Sequence, residues 1–476
     1  MALCTCAGHQ QPSAEGQHHR HETYVRMSGL PAGTAWHAKL PDIPKLGRPL
    51  KVALPCVGID GCTHALHVMA TDFQPTNIYD LEGGYSDFLR QHYAEAHVQG
   101  QPTMNLGTSG DICCVDLRHL EKPDGLCSGP PCPPWAGQGR KKSQEDERAR
   151  VFERVLQWVV LFIKAGPLLF CVLENVVGIL HRIKGQRSFM SRVLAVLREE
   201  CQEFAWVVHK LKAMDYGLPQ SRTRVFLVGV RKAVFGDQPP TPLPAWDRNA
   251  ELCDFLSARA PNTDRASLTS NMQHNLGVHE GTLKMMLQQQ KLGEKDIVSV
   301  CVDRSPTKKW KPKLHINRIP TLTTSNVYIF VMSLDFGKAD HERAVFRWLL
   351  PGERLILQGF PATCAGLLPA RLRVKASGNA YPVPLMAAML TPIVQGLQGK
   401  IEHWPMPSGT VDVVPGEVHE VVRKLYEEVT VTVTVKKRPA QASTTRKKKA
   451  ARAHIAGPQR KKTSKTVSAV SISSDS

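Results

Sequence analysis

No run of apolar residues in this chain approaches the roughly 20 that a bilayer crossing requires, so a membrane-spanning class is set aside. The opening MALCTCAGHQQ lacks the charged and apolar regions of a secretion signal, so export is not expected. Aromatic residues are few, 6 % against 42 % hydrophobic. Most of the chain is still expected to fold, and 476 residues suffice for two domains with tails. The 13 cysteines are odd in number and scattered, several at apolar positions such as Cys171 and Cys301. That favours reduced thiols in a cytosolic or nuclear setting over a disulfide framework. Cys4, Cys6, His9, His18, His19 and His21 match no zinc spacing, so no metal site is expected. Acid is scarce at one end. Between Lys436 and Ser476 only Asp475 opposes twelve Lys and Arg, so this end carries about +11 of the formal +19. A basic body with a basic tail points to a polyanion, most simply nucleic acid; a solubilising tail is the plainer reading.

What is present begins at Lys51. Residues 1–48 are rich in His, Gln, Gly and Pro without periodicity and are expected to be disordered. KVALPCVG, NIYDLE, DGLCSG and PLLFCVLENV then read as short strands. Apolar residues recur at helical spacing in ERARVFERVLQWVVLFIKAG and FMSRVLAVLREECQEFAW, and RVFLVGVR reads as a further strand. Alternating strands and helices imply an α/β fold with a mostly parallel sheet, whose ligands sit at the carboxyl ends of the strands. From about Lys232 to Asn317 the alternation stops amid prolines, glutamines and the basic KKWKPK, as in a small irregular second domain.

The strand ends carry an ordered series. Cys132 in GPPCPPW is followed by Glu174 in ENV, then Arg222 and Arg224 in QSRTRVFLVGVR. RIPTLTTS, QGFP and Gly378-Asn379-Ala380 with Val383-Pro384 come later. Taken singly, Cys132 fits a small core residue or a hinge thiol. Glu174 fits a cap or surface acid, and the arginines fit an ordinary salt-bridge pair.

In this order the series resembles the motifs of the cytosine-C5 DNA methyltransferase family, over roughly Lys51 to Gly399. The short Asp146-Glu147-Arg148 is similar to that family's Asp-x-Arg. The resemblance implies a class I S-adenosylmethionine-dependent methyltransferase sheet, Rossmann-like, with a small target-recognition domain and disordered tails. It divides the chain into a disordered segment (1–48) and a catalytic cofactor-binding domain (49–231). A target-recognition region (232–317) follows, then a stretch that completes it and returns to the catalytic domain (318–400). A C-terminal helix and linker (401–435) and the basic tail (436–476) end it.

The chemistry agrees. Cytosine C5 is a poor nucleophile, and adding a thiolate to C6 makes it enamine-like. Cys132 would be that nucleophile. Glu174, kept protonated by burial, would serve N3 and the exocyclic amine. Arg222 or Arg224 would polarise O2, and which of them does so stays open. The base must be flipped out of its duplex. Arg140, Lys141 and Lys142, after Gly137 and Gly139, read as a mobile loop closing on phosphates; a solvated charged loop is the bland alternative.

The cofactor implied is S-adenosyl-L-methionine. The resemblance assigns it Gly58 and Gly61 of the first glycine loop, Glu82 for the ribose, Asp111 near the adenine amine, and Asn379 and Val383 to close the pocket. The chain departs from the pattern at Cys56, where an aromatic is usual, at Asp60, which replaces a glycine, and at Gly83. It departs again at Pro133-Pro134-Trp135-Ala136 after the nucleophile. The implied function is DNA (cytosine-5-)methylation of double-stranded DNA, in the nucleus given the bipartite basic tail. The sequence sets no oligomeric state. The rivals are a tRNA cytosine-5 methyltransferase, though the Cys-Phe-Thr signature of such relatives is absent, and a catalytically weak DNA-binding scaffold.

Overall fold

A computed structural model describes residues 35–425, apart from residue 44 and residues 96–103, 137–145, 183–186, 247–249, 258–263, 293–295, 304–313, 325–328, 334–344, 413–415, 417 and 421. Its centre is a seven-stranded sheet. The chain enters through β1 (Leu50–Pro55), whose run LKVALP is buried along nearly its whole length, as a central parallel strand requires. It continues through α1 (Gly61–Val68), β2 (Phe73–Asp80), α2 (Ser86–Glu95), β3 (Met104–Leu106) and β4 (Gly125–Ser128). Then come α3 (Ala149–Lys164), β5 (Phe170–Val176), α4 (Phe189–Glu200), β6 (Phe204–Lys212), β7 (Gln220–Ser221), β8 (Thr223–Arg231) and α5 (Lys232–Phe235).

The strand order is β3-β2-β1-β4-β5-β8-β6. Only β8 runs against its neighbours β5 and β6. β1 pairs in parallel with β2 on one side and β4 on the other. The order therefore reverses beside β1, where open α/β sheets leave a crevice at the carboxyl ends. Because β8 is antiparallel, its first residues lie at that same edge.

Two apolar layers hold the sheet. α3 turns Phe152, Val155, Leu156 and Trp158 through Ile163 inward on one face. α1 and α10 (Val383–Leu397) belong to the other, where α10 packs on α1. α4 starts at Ser188, whose hydroxyl accepts from the Ser191 N–H and satisfies one orphan donor of the first turn.

After α5 come α6 (Ser270–Gln288), β9 (Ile297–Cys301), β10 (His315–Ile316), β11 (Ile319–Pro320), β12 (Ile329–Ser333) and β13 (Val345–Trp348). Four of these strands form a second, antiparallel sheet, β10-β9-β12-β13. β11 instead pairs in parallel with β7 and joins this part to the edge of the main sheet. The chain returns through α7 (Pro351–Ile356), α8 (Ala362–Leu367), α9 (Ala370–Asn379) and α10.

Candidate active site

Gly129 follows β4, and the next residues cannot continue a strand. A Cβ on Gly129 would lie 2.8 Å from the Tyr381 ring, so only glycine permits this approach. The turn that follows is braced on three sides. The N–H groups of Trp135 and Ala136 both donate to the Cys132 carbonyl at 3.0 Å. The Asn175 side-chain amide donates to the Pro130 carbonyl at 3.2 Å. The Trp135 ring stacks on Phe189 at 5.1 Å and meets Phe152 edge-on at 5.4 Å. Pro133 and Pro134 thus lead from Cys132 into an aromatic anchor, which gives the departure after the nucleophile a packing reason.

Glu174 lies on β5 and is buried. Opposite it in the antiparallel register stands Phe226, and Arg224 pairs with Val176. Glu174 and Arg224 are therefore diagonal neighbours on one face of the sheet. Arg224 Nε lies 2.7 Å from Glu174 Oε1. Burial pushes the Glu174 carboxyl upward, and the charges of Arg224 and Arg222 oppose that rise. The half-buried Cys132 thiol is pushed up to about 11, first by burial and then by the Glu174 charge. Arg224, Arg222 and the Val176 N–H pull it back.

The two arginines are not equivalent. Arg222 is buried and donates to three carbonyls: Leu322 at 3.1 Å, Gly378 at 3.2 Å and Ala380 at 2.6 Å. Its guanidinium ties the strand edge to the returning chain. Arg224 donates to its neighbour's carbonyl, that of Thr223, at 2.9 Å and presents its Nε edge to Glu174. The geometry gives the carboxyl-side role to Arg224 and the bracing role to Arg222, a division the spacing alone does not reveal.

The cofactor candidates gather at the ends of β1 and β2. Gly58 has φ +57, and a Cβ there would meet nothing within 4 Å, so the loop faces open space. The last residue of β2 is Asp80, which the sequence reading passed over. It is half-buried, and its carboxylate accepts from the N–H of Gly58 and of Glu82, each at 2.8 Å. In the run NIYDLE one acid ends the strand and the other stands two residues on, and that alternation was the available signal. Glu82 is half-buried and paired with Lys375 of α9. Asp111 accepts from the Cys113 N–H at 2.9 Å. Its charge and that of Asp80 both act on Cys56, which places the three together. Asn379 is exposed at the end of α9, and Val383 is buried at the start of α10. Gly61 touches the Tyr381 carbonyl, where a Cβ would stand at 2.9 Å. Carboxylates beside an open glycine loop at a strand-order reversal fit a nucleoside cofactor with ribose hydroxyls.

Asp60 stands in the same loop in the left-handed region, φ 53, and caps α1. It accepts from the Thr63 N–H at 2.9 Å, from the Thr63 hydroxyl, and from the Tyr93 hydroxyl at 2.9 Å. Thr63 continues to His92 at 2.7 Å, and His92 stacks on His64 with ring centroids 3.7 Å apart. Burial lifts the Asp60 carboxyl to about 6 against these hydrogen bonds.

The model of the C-5 cytosine-specific DNA methylase family matches residues 60–395.

The chain belongs to that family.

C-5 cytosine methylases of this family use S-adenosyl-L-methionine, which the open glycine loop and its carboxylates accommodate. Among relatives, the type II methyltransferase M.DdeI of Desulfomicrobium norvegicum is 36% identical over 130 residues, which are 25% of this chain and 29% of that protein. M.HpaII of Haemophilus parainfluenzae is 34% identical over 126 residues, 26% of this chain and 34% of that protein. The chain spans about a third of the length of these curated relatives. Of solved structures, the Entamoeba histolytica methyltransferase EhMeth is 14% identical with a TM-score of 0.47, covering 74% of this chain and 99% of its own. Dnmt2 of S. pombe is similar at 14% identity and a TM-score of 0.45, covering 72% and 99%.

Of the family-type residues, Cys132, Glu174 and Arg224 share one site, with Arg222 behind it. Asp146 and Arg148 form a local pair at 2.6 Å before α3. Arg140, Lys141 and Lys142 lie outside the described residues, as do the Cys and His residues near the start. Among the described residues no group of three or more His, Cys, Asp or Glu is placed to hold a metal ion.

Proposed function

We propose that this chain is a DNA (cytosine-5-)methyltransferase acting on double-stranded DNA through a covalent cysteine adduct. The observation that carries this reading is the convergence of Cys132, Glu174 and Arg224 from three neighbouring strands at one sheet edge. S-adenosyl-L-methionine, when bound, supplies an electrophilic methyl group on sulfonium sulfur. Gly58, Gly61, Asp80, Glu82, Asp111, Asn379 and Val383 would hold it.

The protein's own residues prepare the base. The cytosine is extruded from the duplex, since C6 is out of reach in the stack. Cys132 Sγ, as thiolate, forms a bond to C6 while Glu174 delivers its proton to N3. The electron pair of the C5–C6 double bond moves toward N3, and C5 gains enamine character. Arg224 holds the Glu174 carboxyl in place and stabilises charge on O2. After C5 has been alkylated, the N3 proton returns to Glu174, C5 loses its own proton to solvent and the sulfur–C6 bond breaks with its electron pair on sulfur, which restores the aromatic base and the thiolate.

The two basic clusters between Lys436 and Arg452 support entry into the nucleus and non-specific attraction to phosphate. The deciding assay incubates the full chain with methyl-labelled cofactor and, side by side, duplex DNA and tRNA. Label in cytosine of the duplex, lost with Cys132→Ser while DNA binding persists, supports the reading. Label in tRNA alone moves the substrate to RNA. No label in either, with cofactor bound, makes the chain a scaffold.

A further inference from the structure

A cavity of about 380 Å³ opens at the same edge of the main sheet. It is lined by Lys212, the last residue of β6, by Met214 and Asp215 in the turn beyond it, and by the segment Gln220–Thr223 that leads into β8. Arg318, from the junction of β10 and β11, closes it from the second-sheet side.

Three observations set its chemistry. Lys212 and Arg318 are exposed, and among the described residues neither is paired with a carboxylate. The polar contact found for Arg318 is a weak one, 3.9 Å to the Met214 sulfur. Arg222 adds a third, buried positive charge at the wall, its N–H groups held by three carbonyls. Asp215 is the one acid among the lining residues. Three cations against one carboxylate make an anion site, and the hydroxyls of Ser221 and Thr223 add donors.

Position identifies the anion. The cavity begins one residue before Arg224, about 3.3 Å along the strand, and Arg224 is paired with Glu174. It is also where β7 and β11 join the two parts of the chain, so a strand lying across both parts passes over it.

We propose that this cavity receives one backbone phosphodiester of the bound nucleic acid, beside the extruded nucleotide, between Lys212 and Arg318. The proposal rests on the nucleic-acid reading above and deepens it. The paired cations fix the strand's register, so the recognition part and the catalytic part grip the same linkage.

The test measures binding of a mixed-sequence duplex against salt for the full chain, Lys212→Ala, Arg318→Ala and the double variant. Thermal midpoints confirm folding, and Lys212→Arg serves as rescue. Each single change is expected to flatten the log–log salt slope by about 0.9, and the double change by about 1.8. Asp215→Asn is expected to tighten binding severalfold. Neutral methylphosphonate linkages are then placed one at a time around each cytosine. One position is expected to weaken wild-type binding and to have no effect on the double variant. An unchanged slope in the double variant overturns the proposal, and so does an equal loss at every linkage. A slope change seen with tRNA and not with duplex overturns the DNA assignment and makes the phosphodiester that of RNA. Methyl transfer to the same duplex is scored in parallel. Absent transfer with the expected slopes sinks the enzymatic reading and leaves the cavity assignment standing.

Discussion

Arg224 Nε and Glu174 Oε1 stand 2.7 Å apart with both side chains more than nine-tenths buried. The pair lies beside Cys132, so the three groups set one another's protonation. The carboxylate raises the thiol, and the guanidinium lowers both.

Alkylation of Cys132 by iodoacetamide is expected to climb with pH toward the thiol's value of about 11. Glu174→Gln removes the neighbouring negative charge, so the curve should move to lower pH. Arg224→Ala removes a favourable charge, so it should move to higher pH. Mass spectrometry of the Cys132 peptide reads the curve, with the exposed Cys114 and Cys253 as internal references. Curves that coincide across the three proteins would show that the groups do not act as a unit.

Arg222→Ala and Arg224→Ala are expected to fail differently. Losing Arg222 leaves the carbonyls of Leu322, Gly378 and Ala380 without their donor, a loss of roughly 3–5 kcal/mol in unfolding free energy. Losing Arg224 leaves Glu174 buried beside an empty place and lifts its carboxyl further. A carboxyl raised in the folded state contributes stability below its unfolded value, near 4.3, and loses it as pH rises through the folded value. Arg224→Ala should therefore approach wild-type stability at pH 5 and fall away by pH 8. Denaturant unfolding at both pH values separates the two variants; equal deficits at both for Arg224→Ala would refute the assignment.

Asp60 gives a second pH signature. Its carboxyl rises from 3.8 to about 6 in the fold. Stability is complete below pH 3.8 and is lost as pH rises through about 6, in total roughly 3 kcal/mol. Asp60→Asn keeps Oδ1 as acceptor for the Thr63 N–H, turns an amide donor toward the Thr63 and Tyr93 hydroxyls, and removes the titration. Its stability relative to wild type should therefore improve between pH 5 and pH 8. A difference that does not change with pH would mean that Asp60 titrates at its ordinary value.

Gly378→Ala should disable the protein through backbone alone. The added Cβ would stand 2.2 Å from the Thr324 nitrogen and 2.3 Å from the Thr323 carbonyl carbon, neither of which can rotate away. The expected result is a lower thermal midpoint together with lost methyl transfer. Gly58→Ala meets no atom within 4 Å, and its strain at φ +57 is confined to the cofactor loop. It should weaken cofactor binding far more than it lowers the midpoint. Isothermal titration with S-adenosyl-L-methionine and a melting curve decide this pair.

The ordered motifs carried the core of the site because strand alternation and strand ends are local features. Cys132 and Glu174 sit where a short apolar run stops and Arg224 where one starts, and such boundaries are visible in one dimension. The split between Arg222 and Arg224 was not, because it depends on carbonyls more than a hundred positions away. Asp80 was hidden by its neighbour: Asp80 and Glu82 both read as acids at one strand end, and only the N–H groups of Gly58 and Glu82 that bond to Asp80 tell them apart. The region from Lys232 to Asn317 is not irregular throughout, since it holds α6, 19 residues long, and β9; it reads as irregular because that helix is rich in polar residues and carries Gly277 and Gly281, and its strands are short. β10 is two residues long and gains its place from pairing with β9. The Pro133-Pro134-Trp135 departure became intelligible once Phe152 and Phe189, on α3 and α4, were seen to receive the indole.

Arg222 reaches carbonyls 100, 156 and 158 residues further along the chain. During synthesis its guanidinium leaves the ribosome long before any of those partners exists. The main sheet's strands can all pair by Arg231, yet the edge that carries Arg224 stays unlatched until Ala380 has emerged. Nascent chains halted anywhere between these points would hold a nearly complete sheet and an unfinished reaction centre. Closure of this edge is thus ordered after the pairing of the sheet, and it waits for the segment that leads into α10.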